Sequence, residues 1–141
     1  PKTLERTEVL TLKRPDGQPS TLSEVCAKQK LTLMLFWRTT CSHCKEFEPE
    51  LEKLYAKYHP LGLEVYALST DPEKTDWLEE LQQHPRPWIN VYIPPDLRRD
   101  VSRNFPAPST PTLIALDKDR RVLSRVMARA NLEAFLKEKL N

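Results

Sequence analysis

Apolar residues recur along this chain in two rhythms, and the change of rhythm predicts its elements. Leu31 to Trp37 is almost continuously apolar, with Thr32 the one polar position. That is the length and character of a strand covered on both faces. Phe47, Leu51, Leu54, Tyr55 and Tyr58 then fall on one face at helical spacing, so the spacing predicts a helix over 41–58. Pro49 lies inside that helix, removes one backbone donor and is expected to kink it.

The same reading extends in both directions. Val9, Leu10 and Leu12, the turn signal Pro15-Asp16-Gly17 and the run Gln18 to Leu22 predict a strand, a turn and a return. Ser23 to Ala27 reads as one helical turn. Leu61 to Leu68 predicts a strand, and Asp71-Pro72-Glu73 predicts a helix start with Asp71 as N-cap. That helix runs to Gln83 with Trp77, Leu78 and Leu81 inward. A strand over 88–93, a helix over 96–105, strands over 111–116 and 121–127 around Asp117-Lys118-Asp119-Arg120, and a helix from an Asn131 N-cap to Leu140 complete the chain. Strands alternating with helices predict an α/β fold, and the late hairpin adds antiparallel pairing.

Composition narrows the class. With 141 residues the chain suits one domain. A formal net charge of +2 and an isoelectric point near 8.6 give no basic stripe of the kind a nucleic-acid binder carries. Gly17 and Gly62 are the only two glycines, too few for a phosphate-cradling loop. The longest apolar run is far short of the ~20 residues of a membrane span. The chain opens at Pro1 with no signal-like segment, so it reads as mature or trimmed, with any targeting segment or anchor lying ahead of it. Three cysteines cannot all pair, which excludes a disulfide-framework domain.

Cys41-Ser42-His43-Cys44 follows the buried strand and opens the long helix. Two sulfurs three positions apart on a first helical turn can close a small disulfide ring. Unpaired backbone N–H groups and the helix dipole there favour an anion, here the thiolate that makes cysteine reactive. His43, between the sulfurs, favours that thiolate further when protonated. A stabilised thiolate makes the disulfide more oxidising, so a less reducing pair is expected than with an apolar dipeptide. A structural disulfide or half a zinc site remains the alternative, although His59 and His84 form no matching cluster. Ser109-Thr110-Pro111-Thr112 stands at the mouth of a strand, where a cis bond at Pro111 would turn the Thr110 N–H and C=O outward for an extended peptide. Cys26 reads as a buried free thiol. Glu46 and Glu48, and likewise Arg98, Arg99 and Arg103, read as solvated helix faces.

Phe36-Trp37-Arg38-Thr39-Thr40-Cys41-Ser42-His43-Cys44-Lys45, Pro49, and Thr110-Pro111-Thr112-Leu113-Ile114-Ala115-Leu116-Asp117 together resemble a thioredoxin-fold protein. The leading Asp16-Gly17 hairpin and Leu22-Ser23 make it similar to the TlpA/ResA-like thiol–disulfide oxidoreductases. The resemblance implies a single domain over 1–141: a hairpin extension over 1–30 and a core over 31–141, with a mixed sheet flanked by helices. It implies Cys41 as the attacking thiol, Cys44 as the resolving thiol, and Thr110-Pro111 as a cis-proline loop, supported by Ser42, His43 and Trp37. Phe105 stands where such proteins often carry Tyr. Thr40 replaces a usual Trp, Arg38 a usual small residue, Phe47 an acid of the TlpA-like pattern and Leu35 the buried thioredoxin acid.

The expected function is disulfide exchange with protein substrates, chiefly as a reductase, with the Cys41–Cys44 disulfide in place of any metal or organic cofactor. Protein thiols and disulfides and a regenerating redox protein are the expected partners. A monomer outside the bacterial cytoplasm, touching membrane only through an anchor, completes the picture. The rival readings are a disulfide-forming or isomerising catalyst and a non-catalytic metal-binding or interaction module. A peroxidase is disfavoured by resemblance, because Arg38 stands where a Thr is wanted.

Overall fold

The computed structural model describes residues 11–107, 109–125 and 129–141. Its elements are β1 (Thr11–Lys13), β2 (Pro19–Thr21), α1 (Leu22–Ala27), β3 (Leu31–Trp37), α2 (Ser42–Tyr58), β4 (Leu63–Ser69) and α3 (Lys74–Gln83). They continue with β5 (Ile89–Tyr92), α4 (Arg98–Asn104), β6 (Thr112–Leu116), β7 (Val122–Ser124) and α5 (Leu132–Leu140). Val9, Leu10 and the end of the strand expected over 121–127 lie outside the described residues.

All seven strands join one mixed sheet in the order β2-β1-β5-β4-β3-β6-β7. β3 and β4 run parallel from Leu31↔Leu63 to Trp37↔Ser69, while β6 lies antiparallel on the other side of β3. The N-terminal hairpin adds β1 antiparallel to β5. Every residue of β3 is buried, and its alternation divides the core. Leu31, Leu33, Leu35 and Trp37 face a cluster with Phe47, Leu51 and Tyr58 of α2, Trp77 of α3 and Leu136 of α5. Met34 and Phe36 face the opposite cluster, with Leu22 and Cys26 of α1, Val101 of α4 and Phe105. Three helices therefore cover one face and two the other. The expected α/β sheet flanked by helices is what forms.

Two local expectations need correction. α3 starts at Lys74, not Asp71: Glu73 holds the cap position without a side-chain bond, and the Asp71 carboxylate is occupied elsewhere. Leu61 is not in a strand. It sits 41% exposed in a 3-10 turn ahead of Gly62, whose φ of 113° is open to glycine and reverses the chain into β4. Asn131 holds the N-cap position of α5 as expected, without a side-chain cap bond, at the end of a 3-10 turn over Arg129–Asn131 that has already wound the backbone. α2 runs from Ser42 to Tyr58 with Pro49 inside it. At the first turn, Gly17 takes a φ of 84° and Asp16 Oδ1 accepts the Gln18 N–H at 2.9 Å, as its residue types predict.

Candidate active site

The parallel strands β3 and β4 end side by side, and the loop after β3 delivers Cys41 to the N-cap of α2. Cys41 is extended (φ −86°, ψ 110°), and its Sγ accepts the Cys44 N–H at 3.1 Å. A cysteine thus performs the capping that Ser or Asp usually performs. Cys41 and Cys44 are joined as a disulfide with Cα atoms 5.3 Å apart. The two sulfurs differ in access: Cys41 is 8% exposed and Cys44 only 1%. The Thr110–Pro111 peptide bond is cis. The Thr110 carbonyl oxygen lies 3.4 Å from Cys41 Sγ, within reach of a Cys41 thiol once the disulfide is reduced. Thr112 Oγ1 donates to the Ser109 carbonyl and closes that loop.

A family model described as thioredoxin-like matches residues 29–122. The chain belongs to the thioredoxin-like family. The thiol-disulfide oxidoreductase ResA of Bacillus thuringiensis subsp. konkukian is 25% identical over 114 residues, covering 79% of this chain and 64% of its own length. The chain thus spans under two thirds of the curated relatives it first matches. The thioredoxin domain of a thiol-disulfide oxidoreductase from Bacteroides vulgatus superposes with a TM-score of 0.83 at 24% identity, covering 94% of this chain and 93% of that one. A thiol:disulfide interchange protein from Bacteroides sp. gives 0.81 at 24% identity, covering 93% and 85%.

Within this thioredoxin-like frame the other expected site residues separate. Ser42 is exposed on the first turn of α2. The His43 side chain is 80% exposed, with Nδ1 3.9 Å from Glu46 Oε2. His43, Phe47, Pro111, Leu113 and Arg129 line a shallow cavity of about 200 Å³ at the helix mouth. Trp37 is buried and carries the Arg86 guanidinium 4.9 Å above its ring, so it packs beneath the site rather than facing outward. Phe105 is on the opposite sheet face, against Phe36.

Two faces expected to be solvated each draw one residue inward. Glu48 is drawn inward: its side chain is 12% exposed and meets Arg86 Nη2 at 2.8 Å. Arg86, itself 5% exposed, also reaches Glu80 at 2.9 Å and the His84 carbonyl. Burial raises the Glu48 carboxyl above its usual range, and the Arg86 charge opposes that rise. Arg98 lies across Tyr92, donating to its hydroxyl at 3.3 Å and to the Ile93 and Asp71 carbonyls. Glu46, Arg99 and Arg103 remain exposed as expected.

Asp71 is the neighbour that sequence reasoning misplaced. It is 1% exposed at the end of β4. Its Oδ1 accepts from Thr39 N at 2.9 Å and Thr39 Oγ1 at 2.8 Å, and its Oδ2 accepts from Ser69 Oγ at 2.6 Å. The available signal was positional: an acid just beyond the carboxyl end of a parallel strand beside the one that feeds the cysteines. Among the described residues, no group of three or more His, Cys, Asp or Glu side chains is placed to hold a metal ion.

Proposed function

We propose that this thioredoxin-like domain exchanges disulfides with protein substrates through Cys41 and Cys44, acting chiefly as a reductase. One observation carries the reading. The more accessible sulfur caps a helix N-terminus beside the Thr110 backbone, with its bonding partner buried one turn behind. Amide hydrogen bonds and the dipole at that position favour a Cys41 thiolate. The reduced form attacks one sulfur of a substrate disulfide. The substrate S–S bond breaks, the leaving sulfur departs as thiolate, and Cys41 holds a mixed disulfide. Cys44 then loses its proton and attacks Cys41 Sγ, releasing the second substrate thiol. Two electrons have passed to the substrate, and Cys41–Cys44 is oxidised. A dithiol protein returns the electrons. The names of the ResA and thiol-disulfide relatives support this chemistry, and the TlpA/ResA resemblance supports a place outside the bacterial cytoplasm.

The test is a trap. Reduced Cys44→Ala protein mixed with insulin should accumulate a covalent adduct on Cys41 that dithiothreitol releases, and wild type should turn insulin over. Equal trapping by Cys41→Ala, or no adduct and no turnover, overturns the reading.

A further inference from the structure

The loop Arg38–Thr40 presents Cys41 between β3 and α2; the Cys41 N–H donates to the Arg38 carbonyl at 3.2 Å, and a long-range tie holds the middle residue. That tie is Asp71, which engages both Thr39 donors across 32 residues of sequence. The adjacent strand ends are also joined, since Thr70 N and Thr70 Oγ1 both donate to the Trp37 carbonyl, at 2.9 and 3.1 Å. Asp71 is in turn held from behind. Ser69 Oγ donates to its carboxylate and accepts its N–H, and the Asp71 carbonyl accepts from Tyr92 Oη at 2.8 Å and from Arg98 Nη2. A carboxylate this deeply buried persists only when its acceptors are filled, and here three donors fill them. Two of the three belong to the loop.

We propose that Asp71 is a positioning residue for the thiol chemistry: by clamping Thr39 it fixes Cys41 at the N-cap of α2, where the Cys44 N–H holds its sulfur. The inference rests on the proposed exchange function and adds a residue to it. Asp71 acts through Thr39 and touches neither sulfur in the contacts described above. Loosening the clamp lets Cys41 drift from the Cys44 N–H, which weakens stabilisation of the thiolate. Simple removal of a negative charge would have the opposite sign and make the thiolate easier to form. The direction of change therefore distinguishes the two effects.

The experiment follows iodoacetamide alkylation of Cys41 in the reduced full chain as a function of pH, with insulin turnover alongside. Asp71→Asn should move the alkylation midpoint upward and slow turnover by about five-fold, the scale of one to two lost hydrogen bonds. Urea unfolding confirms that the variant is folded under assay conditions. If it is not, Thr39→Val carries the same test: it keeps the carboxylate, removes one donor and should shift the midpoint in the same direction by less. In the double variant the two effects should fall short of additive. An unchanged or lowered midpoint in folded variants overturns the clamp. A wild type that neither alkylates selectively at Cys41 nor turns insulin over overturns the exchange function instead.

Discussion

Cys41 and Cys26 sit on opposite sides of the same sheet, and their surroundings share almost nothing. Cys41 lies at the open end of a 17-residue helix, bonded to Cys44 and held by an amide. Around it the supporting groups are polar and paired: Asp71 on Thr39, and Arg86 on Glu48 and Glu80. Cys26 lies near the closed end of the six-residue α1, fully buried among Leu22, Met34 and Tyr66. Burial pushes its thiol up from 9.0 to about 11, against a smaller lowering by Thr32. The same functional group is thus presented for chemistry on one face and used as packing on the other. Placement at a helix end and access to amide donors decide which.

The sharpest way to break this contrast is to reduce the protein and alkylate it at neutral pH. Cys41 should react more than about 1000-fold faster than Cys26, because Cys26 is both protonated and shielded until α1 opens. Peptide mapping after timed quenching measures the ratio, and comparable rates would mean that the two environments are not distinct.

A second test attacks the polar support. Arg86→Ala leaves two largely buried carboxylates without their cation and uncovers the Trp37 ring, which should cost about 3 kcal/mol. Urea unfolding measures this, and a loss within a few tenths of a kcal/mol would show that the network is surface ornament.

The smallest effect is the pH dependence contributed by the apolar side. The folded-state value of Cys26 lies above its unfolded value, so its contribution is complete below about pH 9 and is lost as pH rises toward about 11. A two-unit separation corresponds to at most about 3 kcal/mol. Burial raises the Tyr66 hydroxyl to about 12, so it adds to the same alkaline decline at higher pH. Cys26→Ala should flatten the part between pH 9 and 11 in denaturation curves taken across that range. An identical pH profile in the variant would remove Cys26 from the account.

The sequence made the core legible because periodicity reports burial directly. β3 and the inward face of α2 emerged where their residues predicted: β3 feeds both core clusters, and the inward face of α2 lies in one of them. Cys41 and Cys44 were legible because a short spacing at a helix start carries its own chemistry. Asp71, Glu48 and Arg98 were misread for a common reason. An acid or base on a helix or at its start looks solvated until a partner distant in sequence is known. Arg86 meets Glu48 across 38 residues and Thr39 meets Asp71 across 32, and no local pattern records such pairings. Asp71-Pro72-Glu73 also presents a true helix-start signature, and the tertiary contact overrode it.

Among the described residues the outermost strands are β2 and β7, three residues each, and β2 includes Pro19, which has no N–H to offer. A sheet edge with unpaired backbone groups is open to pairing with any extended polypeptide. Such short flanks give a stray polypeptide little ladder to zip onto. They disfavour lasting side-by-side association of the sheet with other chains or with its own copies.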